Sequence, residues 1–230
     1  MKPFLTTLFL LISALLFAQF TPQFIKKYKI ASVIETSSFK EDGVPQVVIS
    51  KTHYDNAGND TAYYSGDILV YRKKYVLDES DRIEMVITES KSGNESERTT
   101  YTYETSGNYT TTSRHQLMDA VTIKWFNKSG RLLKEQREDG AMLFYDYNTK
   151  GQLVQVMTKL APSGKGDIEH LKYTYNSLGR LIKEESLGTY RWTKLLYYDS
   201  RGILIKTITS GKEDGVVYTT TNTYQYTFMK

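Results

Sequence analysis

Residues 173–186 read YTYNSLGRLIKEES, and the fold turns on how Asn176-Ser177-Leu178-Gly179 is read. An Asn at a corner can accept from the backbone two residues on through its side chain. The next two residues then take right-handed helical angles, and the Gly takes the left-handed angle that closes a three-residue hairpin loop with a bulge. In that register Asn176 pairs with Arg180, and Tyr175 lies opposite Leu181. Tyr173 shares the face of Tyr175, because side chains alternate along a strand.

The phrase recurs down the chain. Gly58, Asp81, Gly107, Gly130, Gly151, Gly179 and Gly202 occupy its turn position, in steps of 23, 26, 23, 21, 28 and 23 residues. Self-similarity at such a period marks a repeat architecture. The copies set Phe126 on Leu132, Tyr147 on Leu153, Tyr198 on Leu204 and Leu77 on Ile83. A second set of corners falls between them, at 40–43, 137–140 and 212–215, with Gly66, Gly93, Gly164, Gly166 and Gly188, and a glycine-free corner near Met118-Asp119. Together the two sets give about fifteen turns, and hence an up-and-down antiparallel meander of about sixteen short strands. One set of turns falls at each edge of the sheet, and the last strand, 218–228, caps the array. The composition agrees: 19 tyrosines and only 4 prolines suit an all-β chain.

The first residues set the compartment. Met1-Lys2-Pro3 is a basic opening, residues 4–17 are almost unbroken hydrophobe, and Ala18-Gln19 follows. This is the form of a secretory signal peptide cut after Ala18, although Leu16 is larger than the cleavage rule prefers. The apolar run falls short of the roughly 20 residues a membrane-spanning helix needs. The expected organisation is a signal peptide over 1–18 and a single β domain over 19–230, secreted to the periplasm or beyond. The chain has no cysteine, which excludes disulfides, thiol catalysis and cysteine-ligated metal. Its formal charge of +4 is spread among alternating acids and bases, a solvated surface rather than a nucleic-acid footprint.

The pattern Tyr-x-Tyr-Asn/Asp-x-x-Gly-Arg-Leu resembles the YD repeat of the RHS family, known from bacterial wall-associated and polymorphic-toxin proteins and from animal teneurins. The resemblance covers residues 51–206, and 173–181 is its best copy. It implies hairpins winding into a β-sheet or open shell. Cargo encapsulation and self-cleavage, which the family also shows, do not carry over, because the chain has about seven copies and no Asp-Pro-x-Gly segment.

A transmembrane barrel needs an apolar outward row in every strand. Strict alternation instead puts Arg180, Ile182 and Glu184 on one face and Leu181, Lys183 and Glu185 on the other, while Lys134, Lys194 and Lys206 interrupt neighbouring strands. His53, His115 and His170 fall in different repeats, too scattered for a metal or catalytic set. The oxygen-rich stretch 55–60 reads as a corner before a calcium loop, since it lacks the later bidentate acid. Glu41-Asp42, Glu184-Glu185 and Glu213-Asp214 read as exposed corner acids, and adjacent strand residues point to opposite faces. No nucleophile elbow, phosphate loop or dinucleotide motif occurs. No catalytic residue, metal or cofactor is expected.

Most tyrosines are expected to pack between strands with their phenol oxygens at the surface. Tyr71, Tyr190 and Trp192 stand outside the corner phrase beside Lys or Arg, and are the candidate ligand-binding residues. Gly58, Gly107, Gly130, Gly151, Gly179 and Gly202 are structural turn residues. The sequence thus points to a secreted, non-catalytic repeat protein acting as a binding or structural surface at the bacterial cell envelope, with a glycan or protein partner and no nucleic acid. The alternative is an accessory subunit of a larger RHS-type secretion or toxin assembly, pairing its terminal strands with another chain.

Overall fold

The computed structural model describes residues 21–41, 44–115, 120–159, 170–213 and 216–229. Among them run a helix α1 (Pro22–Tyr28) and sixteen strands: β1 (Ile30–Glu41), β2 (Val44–Tyr54), β3 (Asp60–Ser65), β4 (Ile68–Leu77), β5 (Ile83–Ser90), β6 (Glu95–Tyr103), β7 (Tyr109–His115), β8 (Ala120–Phe126), β9 (Leu132–Gln136), β10 (Met142–Tyr147), β11 (Leu153–Lys159), β12 (His170–Tyr175), β13 (Leu181–Ser186), β14 (Arg191–Tyr198), β15 (Leu204–Glu213) and β16 (Val216–Phe228). Every strand pairs antiparallel with its chain neighbours, as the meander requires, and β16 pairs with β1 to close a barrel. The sheet is therefore neither open nor capped by its last strand. Its two terminal strands satisfy each other, which removes the free edges that an assembly partner was expected to use. The expected signal peptide and cleavage site lie outside the described residues, as do the corners at 42–43, 116–119, 164–166 and 214–215.

The corner geometry follows the sequence. Asn176 N–H donates to the Arg180 carbonyl at 2.9 Å, and Gly179 N–H to the Asn176 carbonyl at 2.9 Å. The Asn176 side chain accepts from Leu178 N–H and also from Arg180 N–H, each at 3.0 Å. The six turn glycines have φ between 74° and 90°, and Asp81 follows at 58°. The residue after the glycine links one corner to the next. The Arg180 guanidinium lies over Gly202 and that of Arg131 over Gly151, where a Cβ would collide with it. Gln152 Nε2 donates to the Gly179 carbonyl at 3.1 Å.

The bulge beyond each corner changes the faces. Tyr175 pairs with Leu181 but Thr174 with Lys183, so Ile182 is the extra residue. Ile182 and Lys183 both turn outward, and Glu184 returns to the interior, where it is 3% exposed. Strict alternation had mispaired these residues, because a bulge spends two residues of one strand against one of its partner. Lys194, expected on the outer wall, pairs with Glu184 inside the barrel. The same shift occurs after Tyr54, Leu77, Phe126, Tyr147 and Tyr198.

Each bulged strand meets the following strand only two residues further along, which leaves the carbonyl of its first residue without a ladder partner on that side. A tyrosine hydroxyl from the next hairpin supplies the missing donor. Tyr75 donates to Asp60 O at 2.9 Å, Tyr103 to Ile83 O at 2.8 Å, Tyr147 to Leu132 O at 2.8 Å, Tyr175 to Leu153 O at 2.8 Å and Tyr198 to Leu181 O at 2.7 Å, and Tyr226 donates to Leu204 O. The phenol oxygens therefore point inward, not to the surface, since the bulge carbonyls are there. The hairpin at Tyr103–Tyr109 has no register shift. The phrase that follows it carries Phe126, which has no hydroxyl and stacks on Tyr109 at 4.7 Å.

The tightest packing lies on one arc. Val33, Leu143, Val156, Leu171, Tyr173, Leu196, Leu204 and Tyr224 fill the interior between β10 and β1. Helix α1 crosses the corner end of this arc. Its Ile25 is fully buried, the Pro22 carbonyl abuts Gly58, and Tyr28 donates to Arg201 O at 3.1 Å. The sequence pattern had not announced this helix, which is a single capped element with Thr21 accepting from Phe24 N–H at 3.2 Å and Pro22 in its first turn.

Removing one phenol hydroxyl leaves a carbonyl unsatisfied in the interior. Tyr198→Phe is expected to lower stability by about 1–3 kcal/mol. Tyr197→Phe, whose ring faces outward and is 42% exposed, should leave the denaturation midpoint almost unchanged.

Candidate functional site

Because inward residues alternate, cross-strand neighbours form tiers down the barrel. Nearest the end opposite α1, Leu171, Ser186, Trp192, Gly211 and Tyr218 make one tier. Tyr173, Glu184, Lys194, Thr209 and Thr220 make the next, and Leu196, Thr207, Asn222 and Ser37 the third. Glu35 and Tyr224 face each other below them.

The second tier holds a buried ion pair. Lys194 Nζ stands 3.2 Å from Glu184 Oε2, with both side chains 3% exposed. Lys194 also lies 5.7 Å from the centre of the Trp192 ring. Burial pushes the Glu184 carboxyl above the ordinary value of 4.5, while the Lys194 charge pulls it back down. Glu35 accepts from Asn222 Nδ2 at 2.7 Å and from Tyr224 Oη at 3.4 Å. Its carboxyl is likewise raised above 4.5 by burial, against the opposing pull of Lys194. Two carboxylates thus share one lysine in a water-poor interior. Such a group is costly to charge, and removing either partner of the Glu184–Lys194 pair alone would leave the other charge buried and unpaired.

The other arc is a tier of stacked rings. Tyr63 stacks on Tyr71 at 5.4 Å, and Tyr103 packs on Tyr109 at 5.4 Å. Asp60 faces in and takes Lys73 Nζ at 2.7 Å and Tyr75 Oη at 3.1 Å. Desolvation on this arc holds the Tyr101 phenol up at about 12. The Asp55 carboxylate accepts from Ala57 N–H at 2.9 Å and Asn59 N–H at 2.8 Å, so the oxygen-rich stretch there serves its corner.

The three aromatic candidates separate. Tyr71 is an interior residue of the stacked arc, 3.5 Å from Asp60 Oδ2. Trp192 faces inward on β14. Tyr190 is 45% exposed beside the β13–β14 corner, and its carbonyl accepts from the Ser186 hydroxyl. Trp192 and Tyr190 thus lie toward the same end of the barrel, on and beside β14, and Tyr71 does not join them. At that mouth a shallow, largely open depression of about 260 Å³ is lined by Trp192, Ser186, Arg191, Thr193, Ser210 and Glu185. The inward charges Glu35, Glu184 and Lys194 were missed in the sequence. Glu184 had been assigned with Glu185 to an exposed corner, and only allowance for the bulge would have turned it inward. The three histidines stay apart, on β2, β7 and β12.

No protein-family model and no curated protein matches the chain. Among solved structures, a porin-like protein from Bacteroides uniformis is similar over 86% of this chain and 98% of its own length, at TM-score 0.56 and 16% identity. At that identity the likeness is one of fold. The structure of TcdB2-TccC3-TEV matches over 80% of this chain and 14% of that one at 13% identity, but its TM-score of 0.32 is too low to equate the folds.

A carboxyl raised by burial stabilises the folded state below its unfolded value and loses that contribution as pH rises through its folded value. Glu35→Gln keeps an oxygen acceptor for Asn222 and Tyr224 but cannot ionise. Its melting temperature is therefore expected to match the wild type near about pH 4 and to exceed it near about pH 7.

Proposed function

We propose that this protein is a non-catalytic barrel of the bacterial cell envelope, exported by residues 1–18, that captures a glycan or protein through the mouth at Trp192. The observation that carries the reading is the cavity there. It has an aromatic wall and hydroxyl-bearing lining residues, and it lies at the end opposite the α1 stopper. Below it the interior charges are matched to one another and hold the walls in place, which suits a rigid scaffold bearing a binding site. A conduit is not part of this reading, because packed side chains fill the arc between β10 and β1.

The outer wall is mixed: it exposes apolar side chains such as Val70, Phe144, Met157 and Leu195, but charges interrupt them. Lys74, Arg98, Lys134, Lys172, Lys183 and Lys206 face outward along their strands, where a lipid face would be apolar. We therefore place the barrel in an aqueous compartment of the envelope. Among the described residues no helix is long and apolar enough to cross a membrane. Kinship with the YD-repeat family is supported by the corner phrase and by the hairpin geometry it produces. An accessory role in an RHS-type assembly would have to use a surface other than the β1–β16 seam.

An affinity pull-down from the native envelope fraction identifies the partner. Trp192→Ala is then expected to weaken capture by the folded protein by about tenfold or more and also to lower the melting temperature, since Trp192 packs on the core, whereas Tyr175→Ala should lower the melting temperature and spare capture by the protein that remains folded. Full capture by the Trp192→Ala protein that remains folded would remove the site.

A further inference from the structure

The end of the barrel that carries α1 is electrically polarised. Lys128 and Arg131 stand on the β8–β9 corner, Lys150 on the β10–β11 corner, Arg180 on the β12–β13 corner and Arg201 on the β14–β15 corner. Helix α1 closes the series with Lys26 and Lys27, and Lys29 follows it, all three exposed. The series is continuous, because each member touches the next: Arg131 lies over Gly151, Gln152 reaches Gly179, Arg180 lies over Gly202, and Tyr28 reaches the Arg201 carbonyl. Among the described residues only Arg201 of these cations has an ion-pair partner, Asp199 at 2.9 Å. Beside the arc, on the outer wall, stands Asp146 of β10. The other corners of this end, β2–β3, β4–β5 and β6–β7, carry the opposite sign in Asp55, Asp78, Glu79, Asp81 and Glu104, with Arg82 engaged by Asp78 at 2.7 Å.

At the middle of the basic arc Leu178 forms the tip of the β12–β13 corner. It is 74% exposed, more than any other large apolar side chain among the described residues. An apolar tip among exposed cations is a surface that an anionic bilayer accepts: ammonium and guanidinium groups meet headgroup phosphates through charge-assisted bonds, while the apolar side chain enters the acyl boundary. The chain path points the same way. The apolar run 4–17 joins the barrel through α1, so during the export read above this end is the one held at the membrane. We propose that the α1 end docks peripherally on an anionic phospholipid surface, with the basic arc on the headgroups, Leu178 inserted between them and the acidic corners tilted away. The inference goes beyond the binding reading and rests only on its placement of the chain in the envelope. The depression at Trp192 then lies away from the membrane, at the far end of the barrel.

The test is flotation of the chain from Gln19 onward with vesicles of phosphatidylcholine alone and of phosphatidylcholine mixed equally with phosphatidylglycerol. Binding to the anionic vesicles should be at least about tenfold tighter than to the neutral ones, and should weaken as salt is raised. Lys26→Glu combined with Lys27→Glu and Lys150→Glu, all at exposed positions, is expected to weaken it by about tenfold or more, and Leu178→Ser by about threefold or more. Lys172→Glu, on the outer wall of β12, should bind as the wild type does, and all of these variants should keep its melting temperature. Equal binding to both kinds of vesicle, equal losses in the arc and outer-wall variants, or full binding by Leu178→Ser would each overturn the inference. So would failure to bind anionic vesicles, and capture of polygalacturonate in that case would assign the arc to a soluble polyanion. None of these outcomes bears on the site at Trp192, since no variant alters that end.

Discussion

Six carbonyls just beyond the corners, at Asp60, Ile83, Leu132, Leu153, Leu181 and Leu204, have no ladder partner on one side, and each takes a tyrosine hydroxyl from the next hairpin. The rest of the barrel depends on this contact. A bulge twists its strand and re-aims the residues beyond it, but it leaves a backbone acceptor that water cannot easily reach. An unmade bond of that kind costs about 1–3 kcal/mol. The donor has to come from the next hairpin, so each bulged hairpin fixes the position of its successor, and the unshifted hairpin at Tyr103–Tyr109 is joined to Phe126 by ring stacking instead.

The interior chemistry is a consequence of the same shift. Because the bulge inserts one residue, Glu184 faces Lys194 inside instead of facing solvent, and the pair becomes a buried tie between β13 and β14. The outer wall collects what the bulge expels. Ile182 with Lys183, and Ile205 with Lys206, sit side by side on the surface, giving a mixed wall suited to water. Several corners in turn are held by the residue after the preceding glycine, as Arg180 reaches Gly202 and Arg131 reaches Gly151. The cavity at Trp192 lies at the opposite end.

The YNSLG phrase by itself determined the turn type, the pairing of Tyr175 with Leu181, the number of strands and their up-and-down order, because these depend on backbone preferences within about ten residues. The turn glycines were legible for the same reason. Trp192 and Tyr190 could be picked out as residues the repeat did not use, but Tyr71 could not be told from them, since its burial against Tyr63 depends on a bulge between β3 and β4. Tertiary structure alone decided the rest. Whether the meander stays open or closes depends on the accumulated twist and stagger of sixteen strands, and no single hairpin encodes it. The pairing of β1 with β16 and the inward turn of Glu35, Glu184 and Lys194 join residues through register shifts. A one-residue shift exchanges the inside of a strand for its outside, and its position is set by contacts with the next hairpin rather than by the residues it moves.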